Sequence, residues 1–540
     1  MTTVYRARLV RTLDPANPTA DHVAVDDGRI VAVGGAADMP AGAPVDERFA
    51  DKVLVPGFVE GHTHTQVGAL WSSCYCGRFA RTGPDGTLWD ELPSVDESMA
   101  RLREWGEANP DADVIFGWGF DPIYFGRTCT REDLDLVSDT RPVALAHASL
   151  HIVSINTPAL ALLGLLDNPP DTPSVPRGAD GLPTGELRGP EAAYPAIGRL
   201  GLLPFLFPTN EDAFLAVGRL AVRAGVTTMT DLGSSYRPEL LAQYAEYTGR
   251  EDWPVRLVPA FMSDGRPAGE LSRVADEAAA ANTDMLRLGR LKIVVDGSIQ
   301  GFTARLRAGE YHNGAPNGLW YKTPEHIREV LAQALAEGRQ VHLHTNGDQA
   351  SELVLDILEE LVAARPGATP DITLQHAQMM DEGLLGRAAA LGLNVNLFAN
   401  HIFYWGEAHA SMTIGEERAA GMDACATALR LGVPLAIHSD EPVTPIAPLF
   451  AMWCAVNRIT HEGRVLGPHE RITAEQALHA VTMGPAITLG MDDEVGSLAV
   501  GKRADIAVLD DDPLAVAPEA IRDIAVWGTV TGGRVFPADA

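Results

Sequence analysis

The sequence predicts an α/β protein built on a (β/α)8 TIM barrel, with a β-sandwich domain formed from both termini and an α/β insertion after barrel strand 1. Three observations support this fold. Strand and helix patterns alternate through the middle of the chain, both ends contain short strand patterns with turns, and a long loop-rich stretch interrupts the alternation early. A chain of 540 residues is also too long for one small core, so two or three domains are expected.

The two ends of the chain, residues 1–55 and 485–540, show the same strand-and-turn pattern. Near the N-terminus, Asp27-Gly28 separates two runs of apolar residues, which is a strong hairpin signal. Near the C-terminus, comparable runs surround Gly532-Gly533. We therefore expect both ends to fold together as one sandwich-like domain, although two separate β caps would give the same pattern.

Residues 56–484 carry the alternation of strands and helices that a parallel barrel requires. Helical patterns, such as those at 325–337 and 351–364, fit between the strands. Eight strand patterns match the count of a (β/α)8 barrel. They end at His64 or lie at 227–231, 256–260, 291–295, 341–344, 372–376, 393–397 and 435–438.

Residues 70–215 do not fit a single βα unit. They contain Trp, Tyr and several Pro- and Gly-rich loops. We expect an insertion subdomain over the barrel mouth, where βα loops form active sites. A structural subdomain without a functional role is the alternative.

Composition and charge indicate which classes of binding partner are disfavoured and in which cellular compartment the protein is expected. The formal net charge is −30, from 42 basic and 72 acidic residues, which disfavours nucleic acid and anionic membranes as partners. The N-terminus lacks the apolar core of a signal peptide, and no apolar run reaches about 18 residues. We therefore expect a cytoplasmic protein without a membrane span.

The five cysteines are few and odd in number, which favours reduced thiols. Cys74 and Cys76 are separated by one residue and could form a soft metal-binding pair. The gap is short and the sequence has no second pair, so buried or loop thiols are the preferred interpretation.

A metal site is first suggested by His62-Thr63-His64, which follows a run of strand-forming residues. Side chains two residues apart on a strand point the same way, so His62 and His64 could bind one metal ion. Taken alone, the pattern fits an ordinary surface or core pair equally well.

Further polar residues fall at the ends of later predicted strands. Lys292, His344, His376 and Asp440 occur in this order along the chain. In a TIM barrel, polar residues at the C-terminal ends of strands are the usual site of chemistry. Four histidines, a lysine and an aspartate in these positions would be improbable by chance.

The chain resembles the amidohydrolase superfamily of metal-dependent hydrolases, and within it the amidohydrolase-3 branch that includes N-substituted formamide deformylases. The resemblance runs nearly end to end and is carried by residues 56–64, 292–298, 344–348 and 501–505. Two further stretches, 400–409 and 438–443, are similar to this branch in particular.

The resemblance implies a set of ligands for two zinc ions, with other divalent metals as alternatives. His62, His64 and Asp440 would hold the more buried ion, and His344 and His376 the second. Lys292 matches a lysine that is carboxylated by CO2 in many relatives and bridges the two ions. A free ammonium has no lone pair for a cation, so an unmodified Lys292 would leave one metal and a weaker second site.

The family pattern places the ligand directly before Thr345, which selects His344 over His342. We therefore expect His342 to lie deeper in the barrel. A metal-activated hydroxide, with Asp440 as general base, would then cleave a C–N bond of a small amide, N-acyl or N-formyl compound.

A mononuclear deaminase or a cyclic-amide hydrolase is the alternative within the same superfamily. A non-catalytic binding or regulatory protein on this scaffold is disfavoured, because every expected ligand position is filled. The family suggests a homodimer, but the sequence does not fix the oligomeric state.

Residues of the insertion and of the loop after the seventh barrel strand are predicted to contact the substrate. Aromatic side chains in this set suit an apolar or aromatic substituent. Each has a structural alternative: ordinary core for the aromatic residues, a turn or cap for the aspartate, and a satisfied structural histidine at position 151. The predicted contacts are His151, Trp118, Asp121, His401, Tyr404 and Trp405.

Overall fold

The computed structural model describes residues 2–206, 210–235 and 237–539; residues 207–209 of the predicted insertion lie outside this part. The strands, in chain order, are β1 (Thr3–Arg11), β2 (Thr19–Asp26), β3 (Arg29–Gly34), β4 (Val45–Pro56), β5 (Phe58–Glu60), β6 (Cys74–Tyr75), β7 (Arg81–Thr82), β8 (Leu88–Trp89), β9 (Ile115–Phe120), β10 (Val143–His147), β11 (Ile152–Ile155), β12 (Glu186–Arg188), β13 (Val226–Ser234), β14 (Arg256–Met262), β15 (Arg290–Val294), β16 (Val341–Thr345), β17 (Ile372–His376), β18 (Asn394–Leu397), β19 (Leu435–Ile437), β20 (Ile506–Leu509), β21 (Val526–Thr531) and β22 (Arg534–Pro537).

The α-helices are α1 (Val67–Leu70), α2 (Val95–Ala108), α3 (Pro122–Phe125), α4 (Arg131–Asp135), α5 (Thr157–Leu163), α6 (Gly189–Arg199), α7 (Leu203–Leu206), α8 (Glu211–Arg223), α9 (Pro238–Thr248), α10 (Ala268–Ala279), α11 (Pro324–Glu337), α12 (Asp348–Ala364), α13 (Glu382–Ala390), α14 (Asn400–Ala408), α15 (Glu416–Gly421), α16 (Cys425–Arg430), α17 (Pro448–Asn457), α18 (Ala474–Ala480) and α19 (Met483–Thr488). Short 3-10 helices cover Ala36–Asp38, Pro468–Glu470 and Pro518–Asp523, and a π-helical turn covers His409–Thr413. None of the described helices has both the length and the apolar character needed to cross a membrane.

The chain divides into two compact units, Met1–His64 with Gly218–Ala540, and Thr65–Val217. In the first unit, eight described strands form one parallel sheet in the order β5-β13-β14-β15-β16-β17-β18-β19. Backbone bonds then join the segments that follow its first and last strands: Asp440 N donates to His62 O and His64 N donates to Glu441 O, both over 3.0 Å. The result is a TIM-barrel-like α/β fold, as the sequence predicts.

The barrel strands are buried along most of their length because helices cover the sheet. All five residues of β16 and all five of β17 are buried, which is typical of parallel strands enclosed on both faces. The intervening helices have clear ends: Thr323 Oγ1 accepts the His326 N–H at the start of α11, and Gly338 takes a left-handed conformation (φ 65°) at its end. These helices hold the strands so that their C-terminal ends meet.

Both chain ends contribute to one seven-stranded sheet, in the order β22-β21-β20-β4-β1-β2-β3. Strand β20 pairs antiparallel with β4, with Ile506 opposite Pro56, so the C-terminal segment is joined directly to the strand that leads into the barrel. Tyr5, Phe49 and Val508 belong to the apolar core beneath this sheet. The described strands of the termini form this single sheet, and a β-sandwich remains a prediction.

The second unit, Thr65–Val217, lies in sequence between β5 and β13 and has its own mixed sheet, β12-β11-β10-β9-β6. Its apolar clusters include the thiols of Cys74, Cys76 and Cys129, all of which are buried and free. Cys74 and Cys76 belong to none of the groups of three or more metal-capable side chains among the described residues. These thiols therefore act as core residues.

Candidate metal centre

The predicted ligands gather where the barrel strands end, but His62 and His64 arrive there differently from the prediction. Strand β5 ends at Glu60, so both histidines lie in the segment that follows it rather than on the strand. Backbone bonds fix that segment, since Leu232 N donates to Thr63 O over 3.0 Å and Asp440 N donates to His62 O. Hydrogen bonds to neighbouring strand ends, not strand geometry, bring the two imidazoles together.

Two groups of ligand atoms overlap at His62. The first is His62, His64 and Asp440, and the second is His62, His376 and His438; within each group the candidate ligand atoms lie within 4.8 Å of one another. The Nε2 atoms of His62 and His64 are 3.6 Å and 3.3 Å from Asp440 Oδ1. That oxygen is buried and has no hydrogen-bond partner among the described residues.

The tautomer of His62 is fixed by Gln375, which is fully buried. The Gln375 amide nitrogen lies 2.9 Å from His342 Nδ1 and donates to it, so its Oε1 is the atom that faces His62 Nδ1, at 2.8 Å. A carbonyl oxygen only accepts, hence His62 carries its proton on Nδ1. The Nε2 lone pair is left to face the cluster, as a metal ligand requires.

His344 is held by hydrogen-bonding contacts at both of its ring nitrogens. Its Nε2 lies 3.0 Å from the Asn346 amide nitrogen and 3.3 Å from the Gly297 carbonyl, and its Nδ1 lies 3.0 Å from His376 Nε2. Asp296 fixes the turn that carries His344: its carboxylate accepts the backbone N–H groups of Asn346 and Gly347, each over 2.9 Å. Burial raises the pKa of Asp296 to about 7, and the backbone donors oppose the shift.

His64 lies between two carboxylates. Its Nδ1 is 3.7 Å from Asp231 Oδ1 and its Nε2 is 3.3 Å from Asp440 Oδ1. Tyr244 donates its hydroxyl to Asp231 over 2.6 Å, which fixes that carboxylate in place. Burial alone would lower the pKa of His64, but the two carboxylates raise it to about 9. A proton and a metal ion therefore compete for the same lone pair.

The imidazoles of His62, His376 and His438 stay neutral. Burial lowers the pKa of His62 and of His376 well below the ordinary range, and neighbouring cationic groups add to the effect. Burial also lowers the pKa of His438 to about 3. Neutral imidazoles retain the lone pair that binds a metal ion.

Lys292 is the third of the five residues of β15, and only 1% of its surface is exposed. Its Nζ has no hydrogen-bond partner among the described residues. Burial lowers the pKa of this amine to about 7, against the opposing charge of Asp440. A buried lysine without a partner is costly to keep as an ammonium ion, so this position favours a neutral or modified amine.

Two residues of the cluster have strained backbones. His376 and Asp440 have φ values of 66° and 56°, in the left-handed region that side-chain-bearing residues rarely adopt. Such conformations cost free energy and persist where the surrounding structure over-determines them, commonly at functional sites. Here they turn both side chains toward the same cluster.

The donor set fits a divalent transition metal. Buried neutral imidazoles and a carboxylate are the ligands that zinc and similar ions prefer in proteins. The unpaired Asp440 Oδ1 and Lys292 Nζ are the atoms that a cation, or a cation and a modified lysine, would satisfy. We therefore regard this cluster as a metal centre whose ion and occupancy remain a proposal.

Three contributors to the centre lie outside the predicted ligand set. His438 stands two residues before Asp440, and a His-x-Asp pattern at a strand end was the signal that could have identified it. Asp231 also ends a predicted strand, but as a single carboxylate it gives little signal. Gln375 precedes His376 directly, and nothing in its local sequence indicates that it orients His62. His342 is fully buried and accepts from Gln375, which fits its predicted place deeper in the barrel.

The predicted substrate contacts fall in both units. His401, Tyr404 and Trp405 lie on α14, which follows β18 of the barrel. The His401 ring packs at 4.5 Å from Phe398, whose ring in turn stacks on His438 at 4.6 Å. His401 is thus one aromatic ring away from the metal centre, and its role toward substrate stays a prediction.

The other three predicted contacts belong to the second unit. Trp118 lies on β9 and is buried in that unit's core, 4.9 Å from the Tyr75 ring. Asp121 caps α3 by accepting the Ile123 N–H over 3.1 Å. His151 is half-buried in the turn between β10 and β11. The packing of Trp118 and the capping by Asp121 correspond to the structural alternatives, and a substrate role for the three remains a prediction.

Comparison with known proteins agrees with this architecture. The chain is 28% identical to N-substituted formamide deformylase from Arthrobacter pascens, over 97% of this chain and 96% of that protein. It is 27% identical to Protein LONG AFTER FAR-RED 3 from Arabidopsis thaliana, over 97% of this chain and 89% of that protein. An uncharacterized metal-dependent hydrolase from Pyrococcus horikoshii has the same fold, with a TM-score of 0.71 and 19% identity over 96% of this chain and 99% of that one.

The sequence also matches the amidohydrolase family over residues 50–537, which include the barrel and every side chain of the candidate metal centre. A match of this length covers nearly the whole chain. The protein therefore belongs to the amidohydrolase family, in its amidohydrolase-3 branch, and is a hydrolase that acts on carbon–nitrogen bonds other than peptide bonds.

Proposed function

We propose that the protein hydrolyses an amide, N-acyl or N-formyl bond of a small molecule at a centre of two zinc or similar divalent ions. One observation carries this proposal: beside the group of His62, His64 and Asp440 lies a second pair of imidazoles, with His344 Nδ1 3.0 Å from His376 Nε2, and buried Lys292 and Asp440 each have an atom without a hydrogen-bond partner among the described residues. A single structural ion would need neither the second pair nor a buried lysine.

Divalent ions bound here would supply Lewis acidity and lower the pKa of bound water. The chain's own residues provide the rest of the chemistry. Asp440 accepts a proton from the attacking water at Oδ1 and delivers it to the leaving nitrogen, so that the amine departs neutral. The buried donors around the cluster exclude competing water and keep Asp440 oriented, since its backbone N–H is held by His62 O.

Lys292 is assigned the role of a carboxylated bridge. Its neutral amine would attack the carbon of CO2 and release one proton, which gives an anionic carbamate with two oxygen atoms. Depression of the Lys292 pKa to about 7 supports this reaction, because a substantial fraction of the amine is unprotonated at neutral pH. The carbamate would also remove the unpaired ammonium from the barrel interior.

The substrate class rests on chemistry and on one relative. The ligand cluster suits hydrolysis of a polarised carbonyl, and the name of the 28% identical Arthrobacter pascens protein specifies an N-substituted formamide. We therefore place N-formyl and N-acyl amines first. A mononuclear deaminase or cyclic-amide hydrolase is the second candidate, because His62, His64 and Asp440 could hold one ion without Lys292.

The proposal is tested by Asp440→Asn in the full-length protein loaded with zinc. The asparagine retains an oxygen ligand but cannot carry the proton, so kcat for an N-formyl amine should fall by roughly 10²–10⁴-fold while the metal content changes little. Asp252→Asn, which alters an exposed aspartate, is the matched control and should behave as wild type. Full turnover in Asp440→Asn would overturn the role of Asp440.

Metal stoichiometry separates the two candidates. Two ions per chain in the wild type and one in Lys292→Met would support the bridged centre. One ion in both proteins, with deaminase or cyclic-amide activity, would favour the mononuclear alternative.

A further inference from the structure

Beside the metal centre, three buried side chains form a hydrogen-bonded row that the proposed mechanism does not use. His401 Nδ1 lies 3.0 Å from His409 Nε2, and His409 Nδ1 lies 2.8 Å from Thr413 Oγ1. His409 and Thr413 are fully buried, and His401 is nearly so. The row runs from α14 into the π-helical turn His409–Thr413, a type of distortion that often occurs at functional sites.

The direction of these hydrogen bonds follows from Thr413. Its hydroxyl has one proton, and its contact with His409 is its only hydrogen bond in the described structure. If His409 donated to Thr413, the hydroxyl proton would be buried without an acceptor, which is unfavourable. The Thr413 hydroxyl therefore donates to His409 Nδ1.

The direction of the Thr413–His409 hydrogen bond also determines the tautomer of His401. A neutral His409 that accepts at Nδ1 has its proton on Nε2, and donates it to His401 Nδ1. His401 then has its own proton on Nε2. Burial keeps both rings neutral, since it lowers the pKa of His409 to about 3 and that of His401 well below the ordinary range.

His401 Nε2 has no hydrogen-bond partner among the described residues. It is also not among the polar atoms of those residues that are both unpaired and fully buried. A little of its surface is therefore open, although only 2% of the whole residue is exposed. The Phe398 ring lies between His401 and the metal centre, 4.5 Å from His401 and 5.7 Å from His376. One aromatic ring thus separates the His401 ring from the imidazoles of the metal centre.

We propose that His401 binds the substrate as a fixed Nε2–H donor, and that His409 and Thr413 are positioning residues that set its tautomer. This inference rests on the proposed amide hydrolysis and deepens it. The preferred substrate is an N-formyl or N-acyl amine with a hydrogen-bond acceptor, such as a carbonyl or ether oxygen, in the part of the molecule remote from the scissile bond. A donor group at that position is disfavoured, because His401 has no lone pair to offer it.

The first test determines the tautomer without requiring turnover. Zinc-loaded protein labelled with 15N-histidine is studied by NMR, and the His401 signals are assigned by their loss in His401→Leu. Wild type and Thr413→Ser should show a protonated Nε2 and an unprotonated Nδ1. Thr413→Val, which removes the hydroxyl at nearly constant shape, should show a mixture. A protonated Nδ1 in the wild type would overturn the proposal.

The second test measures kinetics on two N-formyl amines of equal size, one with a remote ketone oxygen and one with a methylene group in its place. Thr413→Val should raise KM for the ketone compound by about tenfold, as expected for one hydrogen bond, and leave kcat and the methylene compound nearly unchanged. Thr413→Ser should retain the wild-type preference, and His401→Leu should abolish it. Equal losses on both compounds would show a merely structural role and would overturn the proposal.

The two tests separate this inference from the proposed function. If the wild type hydrolyses neither compound but shows the Nε2–H tautomer, the proposed reaction fails while the role of His409 and Thr413 as positioning residues is supported. If the wild type hydrolyses both compounds equally well, the reaction stands and the substrate contact by His401 is overturned.

Discussion

Gln375 offers a sharp test of how this barrel prepares a metal ligand. Its Oε1 accepts from His62 Nδ1 over 2.8 Å and from Asn396 Nδ2 over 2.9 Å, and its nitrogen donates to His342 Nδ1 over 2.9 Å. Gln375→Met keeps the length and volume of the side chain but removes all three bonds. The His62 ring then loses the acceptor that selects its Nδ1–H tautomer and fixes its orientation.

Two magnitudes follow from this change. Loss of an outer partner of a metal-bound histidine typically reduces metal affinity about 10–100-fold, which corresponds to about 1.4–2.7 kcal/mol. The change also leaves His342 and Asn396 with unsatisfied buried groups, which cost about 1–3 kcal/mol each in stability. The affinity must therefore be measured well below the unfolding transition of the variant.

Competition for zinc against a chromophoric chelator measures the affinity, and circular dichroism checks that the variant is folded. Gln340→Met is the matched control, because Gln340 is buried at the opposite end of β16, where it bonds to Arg290 and Asp371. We expect the control to lose stability but not zinc affinity. Wild-type affinity in Gln375→Met, or an equal loss in Gln340→Met, would refute the reasoning.

Two further predictions concern stability. Asp505→Asn leaves the Arg256 guanidinium buried without its counter-charge and should destabilise the fold by about 3–5 kcal/mol in urea unfolding. Glu277→Gln, in an exposed helical ion pair, should cost at most about 0.5 kcal/mol. Similar losses of stability in the two variants would contradict this prediction. Burial lowers the pKa of His147 to about 3, whereas the ordinary pKa of histidine is near 6.5. Between these two pH values the folded state binds fewer protons than the unfolded state. The stability of the fold therefore decreases as the pH is lowered through this range. His147→Gln should flatten this dependence by up to about 1.4 kcal/mol per pH unit, and an unchanged slope would show that His147 is not its source.

The barrel could be predicted from the sequence because its strands are enclosed on both faces. Such strands are continuous buried runs, and the predicted strand at 372–376 coincides with β17 (Ile372–His376). The same logic fails at the edge of an element. His62 and His64 follow a strand-like run, but β5 ends at Glu60. The next residues bond to Leu232 near the end of β13 and to the loop after β19. The sequence pattern around His62 does not reveal these hydrogen-bond partners, because they lie far away in the chain.

The supporting residues of the metal centre were hidden for a related reason. Gln375 and His62 are 313 positions apart in the chain and meet only because the barrel closes. Asp231 resembles any polar residue at a strand end until His64 is seen beside it. A ligand can be anticipated from its own chemistry and its strand, but an orienting residue is defined by what it faces.

The stretch 501–505 shows why resemblance to a family cannot by itself separate chemistry from scaffold. It carries the resemblance together with the segment around His62, yet its contacts are structural. Asp505 pairs with Arg256 of β14 and accepts the Gly532 N–H over 2.8 Å, so one buried carboxylate ties the terminal sheet to the barrel. Its loss would act on stability, whereas loss of Asp440, a buried carboxylate with an unpaired oxygen, would act on turnover. What distinguishes the two aspartates is therefore whether the fold already satisfies the carboxylate or leaves an oxygen for a ligand.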